Sequence, residues 1–405
     1  MKVGVIGGGP AGIIAAGFAG SRGKDVTLIE KNERLGKKLF ITGKGRCNIT
    51  NASPIEDFFP KVMTNREFLY SSFYSFTNED IIRLLESYGL RVKIERGNRV
   101  FPISDKSSDV LKAFNQFLFD NNVKVLLNKK VLDITKSNDK FLVKLDDKSI
   151  HSFDKIVIAT GGKSYPTTGS TGDGYIFARK FGHTIIPLKP SLVPMEMEED
   201  WIKNLQGLAL KNVNLITKVD NKILHEEFGE MIFTHYGISG PIVLSTSNVL
   251  NKYTDSKIKL YIDLKPALDE EKLNRRILRD FDKFNNKQIK NGLIELLPMK
   301  LIPVILYIAS IDDSKTINQI TREERLRLAR TIKRLPLTFK KFRPLKEAIV
   351  TSGGVSTDEI NPSTMESKLT SGLFFSGEII DVDGLTGGYN LQIAYSTGFL
   401  AGNHV

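Results

Sequence analysis

At 405 residues, with 41% hydrophobic and 26% charged, the chain is too long for one compact core and has ample apolar material for two or three. No stretch approaches the roughly 18 consecutive apolar residues of a membrane span, and the chain enters a strand-like pattern at once, which argues against a secretory leader. A single cysteine, Cys47, excludes an internal disulfide and suits a reducing cytoplasm, while a formal net charge of +12 leaves open an acidic partner such as nucleic acid or a surface that is simply basic throughout.

From the N-terminus, Val3 to Ile6 predicts a buried strand and Gly7-Gly8-Gly9-Pro10-Ala11-Gly12 a turn with Gly-x-Gly-x-x-Gly spacing. Ile13 to Ser21 predicts a helix of small apolar residues, and Val26 to Ile29 a second strand ending at Glu30. In such a unit Gly7 permits the tight turn, Gly9 lets the backbone approach a pyrophosphate, and Gly12 lets helix and strand pack closely. The helix start offers free N–H groups to phosphate, and Glu30 can accept both hydroxyls of an adenosine ribose. The acid would face a 2′-phosphate across like charge, so the adenosine is of the FAD or NAD type.

Two later segments bear on that choice. Lys155 to Ile158 reads as a strand running into Ala159-Thr160-Gly161-Gly162, again bare of large side chains at its end. Leu373 to Phe375 reads as a further strand ending in Ser376-Gly377-Glu378, followed by Asp381 to Asn390 and a helix-like stretch from Leu391 to Ala401. That strand brings an acid, Glu378, near a ribityl chain and aims a helix start at a flavin pyrimidine, where reduction develops negative charge. Cofactor-edge segments spread over the whole chain favour FAD, because a nicotinamide domain would be complete within the first half. The fold class expected is α/β: a Rossmann-type FAD-binding domain interrupted by a strand-rich and then helical stretch, which the family resemblance described below implies is an inserted β-barrel-like plus helical domain in a discontinuous cofactor domain. Residues 1–190 form its first part, 191–268 the barrel-like insert, 269–342 a helical region and 343–405 the C-terminal part of the cofactor domain, with the proline-rich stretch Pro187 to Pro194 at the exit.

Between Arg322 and Lys346 there are ten basic residues against two acids, Glu323 and Glu324. Arg325, Arg327 and Arg330 suggest a cationic helix face, and Lys340, Lys341 and Arg343 follow with Phe339 and Phe342 interleaved. Such a segment can combine phosphate contacts with stacking rings, or it can be a solvated helix face over core phenylalanines. Three residues are candidate proton donors. Cys47 lies beside Arg46, which would draw its thiol toward thiolate; otherwise it is a small residue shaping the loop. His235 and Tyr236 sit in the glycine-flanked run Thr234 to Pro241, where either can donate to a carbonyl or serve a backbone contact. His151, His183 and His225 read as ordinary surface or strand positions. No metal is expected, since five histidines and one cysteine form no ligand-spaced cluster.

Longer motifs carry a family resemblance: Gly36-Lys37-Lys38, then Thr42-Gly43-Lys44-Gly45-Arg46-Cys47-Asn48-Ile49-Thr50-Asn51, then Arg99-Val100-Phe101-Pro102. They continue with Ser164 to Gly174, Phe233 to Pro241, Thr351-Ser352-Gly353-Gly354-Val355 and Gly377 to Gln392. Over essentially its full length the chain resembles the bacterial YhiN/BaiN-like flavoproteins, often labelled aminoacetone-oxidase-like. One departure is Lys44, which adds a charge where a small residue is expected. The resemblance implies FAD held by Gly7, Gly9, Pro10, Ala11 and Gly12 of the turn and by Glu30 and Lys31. It further implies contacts from Gly36, Lys38, Gly45, Arg46 and Asn48, from Thr160 and Gly161, and from Gly377, Glu378, Asp383, Gly387, Gly388 and Asn390. It points to reduction of a carbon–carbon double bond, with a uridine of large-subunit ribosomal RNA the favoured substrate (dihydrouridine formation); the alternative is a small-molecule flavin reductase or oxidase acting on an enone or amine metabolite. With no second dinucleotide fingerprint and no Cys pair, NAD(P)H must dock transiently if it reduces the flavin; otherwise another electron donor serves. A flavin-binding partner of RNA without catalysis is the third expectation; it would tolerate loss of Cys47, His235 and Tyr236.

Overall fold

The computed structural model describes residues 1–253 and 256–405, the Lys44 side chain apart. Two compact units result: Met1–Ser191 with Leu345–Val405, and Leu192–Pro344 between them in sequence.

In the first unit β1 (Lys2–Ile6), β2 (Asp25–Ile29), β3 (Lys124–Leu126), β4 (Lys155–Ile158) and the C-terminal strand Leu373–Phe375 form one sheet. Its order is C-terminal strand, β4, β1, β2, β3, and every pairing is parallel. Continuous apolar runs such as Ile156-Val157-Ile158 and Leu373-Phe374-Phe375, all fully buried, are what a parallel strand covered on both faces requires. Burying one such side chain contributes about 1.5–3 kcal/mol. Helix α1 (Pro10–Ser21) follows β1 and packs on the C-terminal helix, Tyr389–His404. Their backbones meet at glycines: a Cβ on Gly398 would lie 2.5 Å from the Ala11 carbonyl oxygen, and one on Gly402 2.5 Å from that of Ala15. Because the strands are parallel, their C-terminal ends share one edge, which gathers Gly7, Glu30, Thr160 and Ser376 from four separate stretches of sequence.

The second unit is a closed barrel of β5 (Met195–Met197), β6 (Ala209–Val219), β7 (Lys222–Phe233), β8 (Gly237–Ser239), β9 (Ile258–Asp263) and β10 (Leu335–Phe342). The strands run β5-β8-β7-β6-β9-β10 around it. Alternation along β6 turns Val213, Leu215, Thr217 and Val219 into the core. Helices α3 (Pro241–Leu250), α4 (Glu270–Lys283) and α5 (Arg322–Lys333) complete the unit. Helix α5 opens on a capping box between Thr321 and Glu324. Residues 335–342 correct the sequence reading, which put them in the helical region: Leu335 and Leu337 alternate inward opposite Ile262 and Leu260 of β9, and Pro336 faces out. A two-residue period at Leu335, Leu337 and Phe339, broken beyond by a bulge, was hidden beside the basic helix. Among the described residues no helix is long and apolar enough to cross a membrane.

Candidate functional site

The three fingerprint glycines meet different surroundings. A Cβ on Gly12 would come within 1.9 Å of the Gly7 carbonyl oxygen, and one on Gly7, at φ +104°, within 2.5 Å of that of Ala159. Gly9 has nothing within 4 Å of its Cβ position, so the turn is tight below and open above. Pro10 begins α1, and no side chain caps the helix start. Glu30 is buried: one carboxylate oxygen accepts the Gly8 N–H at 2.7 Å, the other the Asn32 backbone N–H at 2.8 Å and side-chain amide at 2.6 Å. Of the roughly four lone-pair directions of a carboxylate this leaves one, fewer than the two hydroxyls read from the sequence. Lys31 is paired with Asp173 at 2.7 Å and donates to Thr171 at 2.5 Å.

At the adjoining strand ends the Thr160 and Ser376 hydroxyls are buried without a hydrogen-bond partner. Orphaned hydroxyls are uncommon, since each costs about 1–3 kcal/mol. Others occur at Tyr395, Thr217 and Thr246; Thr160 and Ser376 differ in standing where strands end in glycine. Gly161 and Gly377 follow them at φ +70° and +76°. Glu378 is a junction rather than a lone acid: it accepts from Lys38 at 2.8 Å, Ser164 at 2.9 Å and the Thr351 N–H at 2.8 Å. Ser376, Ser164 and Thr351 were missed as individual residues, although the last two lie in motifs that marked the family.

Helix α2 (Lys37–Gly45) starts from Gly36 at φ +62° and leads into Arg46 and Cys47. Arg46 pairs with Glu95 at 2.8 Å and Asp105 at 3.3 Å and lies 4.2 Å from the Phe101 ring centroid. Cys47 is fully buried, and burial pushes its thiol up to about 12, so a thiolate favoured by Arg46 gives way to a neutral thiol in the core. The Asn48 amide donates to the Thr50 carbonyl at 3.1 Å and accepts from the Gly388 N–H at 3.0 Å, tying this loop to the start of the C-terminal helix. Asn390 accepts from the Gly384 N–H and donates to the Gly384 and Leu385 carbonyls; Asp383 accepts from Ser191 and Ser352. Both shape the loop that carries Gly387 and Gly388. Gly45 has open space at its Cβ position, and the Lys44 side chain lies outside the described residues.

In the second unit His235 and Tyr236 form the turn between β7 and β8, closed by the Thr234 N–H on the Gly237 carbonyl at 2.8 Å. His235 is exposed and stands edge-on to Tyr236 at 4.8 Å. The Arg343 guanidinium lies 4.4 Å from the Tyr236 ring centroid and donates to Glu196 at 2.7 Å, with Lys341 3.6 Å from the other carboxylate oxygen. Glu196 was missed because its partner lies at the far end of the barrel sequence. The basic helix is largely bound into the fold. Arg325 donates to Asn274, Arg327 to the Ala309 carbonyl and Glu323, and Lys333 to Asp263 at 2.5 Å and two carbonyls. Phe339 and Phe342 pack against the barrel core. That corrects the reading of Arg325, Arg327 and the two rings as an open RNA face.

His183 also departs from the reading as an ordinary position: it is buried between Glu359 at 3.1 Å and Ser367 at 2.8 Å. Among the described residues no three His, Cys, Asp or Glu are placed to hold a metal ion.

Comparison with known proteins agrees with the Rossmann topology. Residues 1–404 match the model of the HI0933-like protein Rossmann domain family. The chain is 32% identical over 405 residues to a 3-dehydro-bile acid delta(4,6)-reductase of Clostridium scindens, covering 99% of this chain and 98% of the relative. It is 30% identical over 395 residues to the ribosomal RNA dihydrouridine synthase of Escherichia coli, covering 97% and 95%. A 3-ketosteroid-delta4-(5alpha)-dehydrogenase of Rhodococcus jostii shares the fold at a TM-score of 0.52 and 13% identity, covering 100% of this chain and 96% of that one. The chain therefore belongs to the HI0933-like Rossmann family, a family of FAD-dependent oxidoreductases.

Proposed function

We propose that this chain is an FAD-dependent reductase of a carbon–carbon double bond, and that its substrate is a uridine of large-subunit ribosomal RNA. The observation that carries the cofactor reading is unused capacity at the sheet edge: an open Gly9, an uncapped α1 start and two orphaned hydroxyls. In this reading the Gly7–Gly12 turn and α1 hold the pyrophosphate, Glu30 takes one ribose hydroxyl, and Thr160 and Ser376 donate to the cofactor's polar atoms. Lys38 and Glu378 brace each other beside it, and the Gly387-Gly388 start of the C-terminal helix faces the pyrimidine end. FAD, when bound, supplies the hydride, refilled from a transiently docked NAD(P)H. Reduction of an enone-like C=C leaves an enolate that needs a proton at the other carbon from a general acid, for which His235 and Tyr236 are the candidates by residue type. Cys47 holds the loop shape.

The relative named a ribosomal RNA dihydrouridine synthase and the net charge of +12 support the RNA substrate, and the reaction would belong in the cytoplasm. The relative named a bile acid reductase supports a second reading, a small enone. Mass spectrometry of ribosomal RNA nucleosides from cells with and without the gene separates the two. Loss of dihydrouridine on deletion is the expected result. An unchanged nucleoside profile, with NAD(P)H turnover on free steroid enones, would move the assignment to the small molecule.

A further inference from the structure

Resting on the RNA reading above, the remaining question is which surface meets the phosphates, since Arg325, Arg327 and Lys333 of α5 are bound within the fold and only Arg322 and Arg330 stay exposed there. In the barrel, Lys218 of β6 stands directly opposite Lys259 of β9, and Lys257 precedes β9. Like charges facing across a sheet destabilise it. Among the described residues none of these three lysines makes an ion pair. They line one depression with Asp220 and Asn221, three cations against a single carboxylate. Its wall is fixed by a two-residue turn, Asp220 and Asn221 both at positive φ (+49° and +67°), and by the Asp220 N–H on the Lys257 carbonyl at 3.2 Å. Lys218 Nζ lies 5.5 Å from the Tyr261 ring centroid, so an aromatic face accompanies the charge.

We infer that this depression is a phosphate-contacting surface for the RNA substrate, with Lys218, Lys257 and Lys259 as its cations. A bound phosphodiester removes the repulsion that the fold alone leaves in place, and Tyr261 offers a ring to an unpaired base.

The test is fluorescence anisotropy of the FAD-loaded protein with a labelled large-subunit ribosomal RNA fragment over a range of salt. K218Q/K257Q/K259Q is expected to lower the slope of log affinity against log salt by about 2 and to weaken binding roughly tenfold. Its flavin spectrum and thermal midpoint should not fall, because the substitutions relieve repulsion. An unchanged slope overturns the inference, and so does an equal loss in R322Q/R330Q/K340Q, which removes exposed cations elsewhere in the unit. Complete displacement of RNA by inorganic phosphate at constant ionic strength would mean a small-anion pocket and also overturns it. If K218Q/K257Q/K259Q binds RNA normally while cells still make dihydrouridine, only this surface is refuted. No RNA binding by the unaltered protein, with dihydrouridine unaffected by gene deletion, sinks the RNA reading and this inference with it.

Discussion

The Gly7–Gly12 turn and the α5 helix both stood out in the sequence, and the structure treats them in opposite ways. At the turn, polar capacity is left over: an open cradle above Gly9 and hydroxyls at Thr160 and Ser376 with no partner. On α5 three of the five cations have been claimed, Arg325 by Asn274, Arg327 by Ala309 and Lys333 by Asp263, while Arg322 and Arg330 stay exposed. Residue type alone did not distinguish them. A place prepared for something outside the chain is recognised by what its own chain fails to satisfy.

The sharpest way to break this contrast is inside the turn. Gly12→Ala drives a Cβ to 1.9 Å from the Gly7 carbonyl and should destabilise by about 3 kcal/mol or more, read by urea denaturation. Gly9→Ala, in extended backbone with free space, should change stability by no more than about 0.5 kcal/mol yet lower flavin retention on gel filtration. Equal destabilisation by the two would mean that the cradle is ordinary packing.

On α5 the matching pair is Lys333 and Arg330. Lys333→Met takes the cation from the buried Asp263 carboxylate, which keeps only the Lys265 N–H, and removes a donor from the Lys265 and Leu268 carbonyls; it should cost about 3 kcal/mol. Arg330→Ala, on an exposed position, should stay within about 0.5 kcal/mol. Similar small losses at both would restore α5 as a solvated face.

Thr160→Val separates a ligand hydroxyl from a structural one. Removing an unsatisfied buried hydroxyl should stabilise the apoprotein by about 1 kcal/mol while weakening FAD roughly tenfold. Unaltered FAD affinity in a flavin-quenching titration would take Thr160 out of the site.

The smallest effect is pH-dependent. Burial holds the His183 imidazole below its ordinary value against the opposing pull of Glu359, so the folded state keeps it neutral. Its stabilising contribution is complete above the ordinary histidine value of about 6.5 and is lost as pH falls through the depressed folded value. Thermal midpoints between about pH 5 and 8 should therefore drop at the acid end, and less steeply in His183→Asn. Parallel curves would exclude His183 as the source.

The glycine fingerprint was readable because each glycine answers a local steric need, and the strands beside it because a doubly covered parallel strand is continuously apolar. What stayed hidden depends on register. Nothing in the sequence says that Lys218 faces Lys259, or that Glu196 of β5 meets Arg343 beside the neighbouring β10, because those pairings follow from how strands align. Strand β10 was missed for a related reason: its alternation spans only Leu335 to Phe339, beside a helix with a stronger pattern. Of the two readings of Cys47 the thiolate one gives way, because the thiol is buried and Arg46 is engaged with Glu95, facts that adjacency in sequence cannot give.

The crossing of α1 with the C-terminal helix, backbone on backbone at Gly398 and Gly402, sets an order of events during synthesis. The sheet lacks an outer strand, and α1 its packing partner, until Leu373–Phe375 and Tyr389–His404 have been made. The barrel unit, residues 192–344, is complete well before that. Domains generally fold as units once their residues are available, so the barrel can mature on the nascent chain while the strand edge that surrounds Gly9 is still unfinished. Cofactor capture then becomes a late, nearly post-translational step, and a chain truncated between residue 344 and Leu373 should yield a folded barrel that never turns yellow.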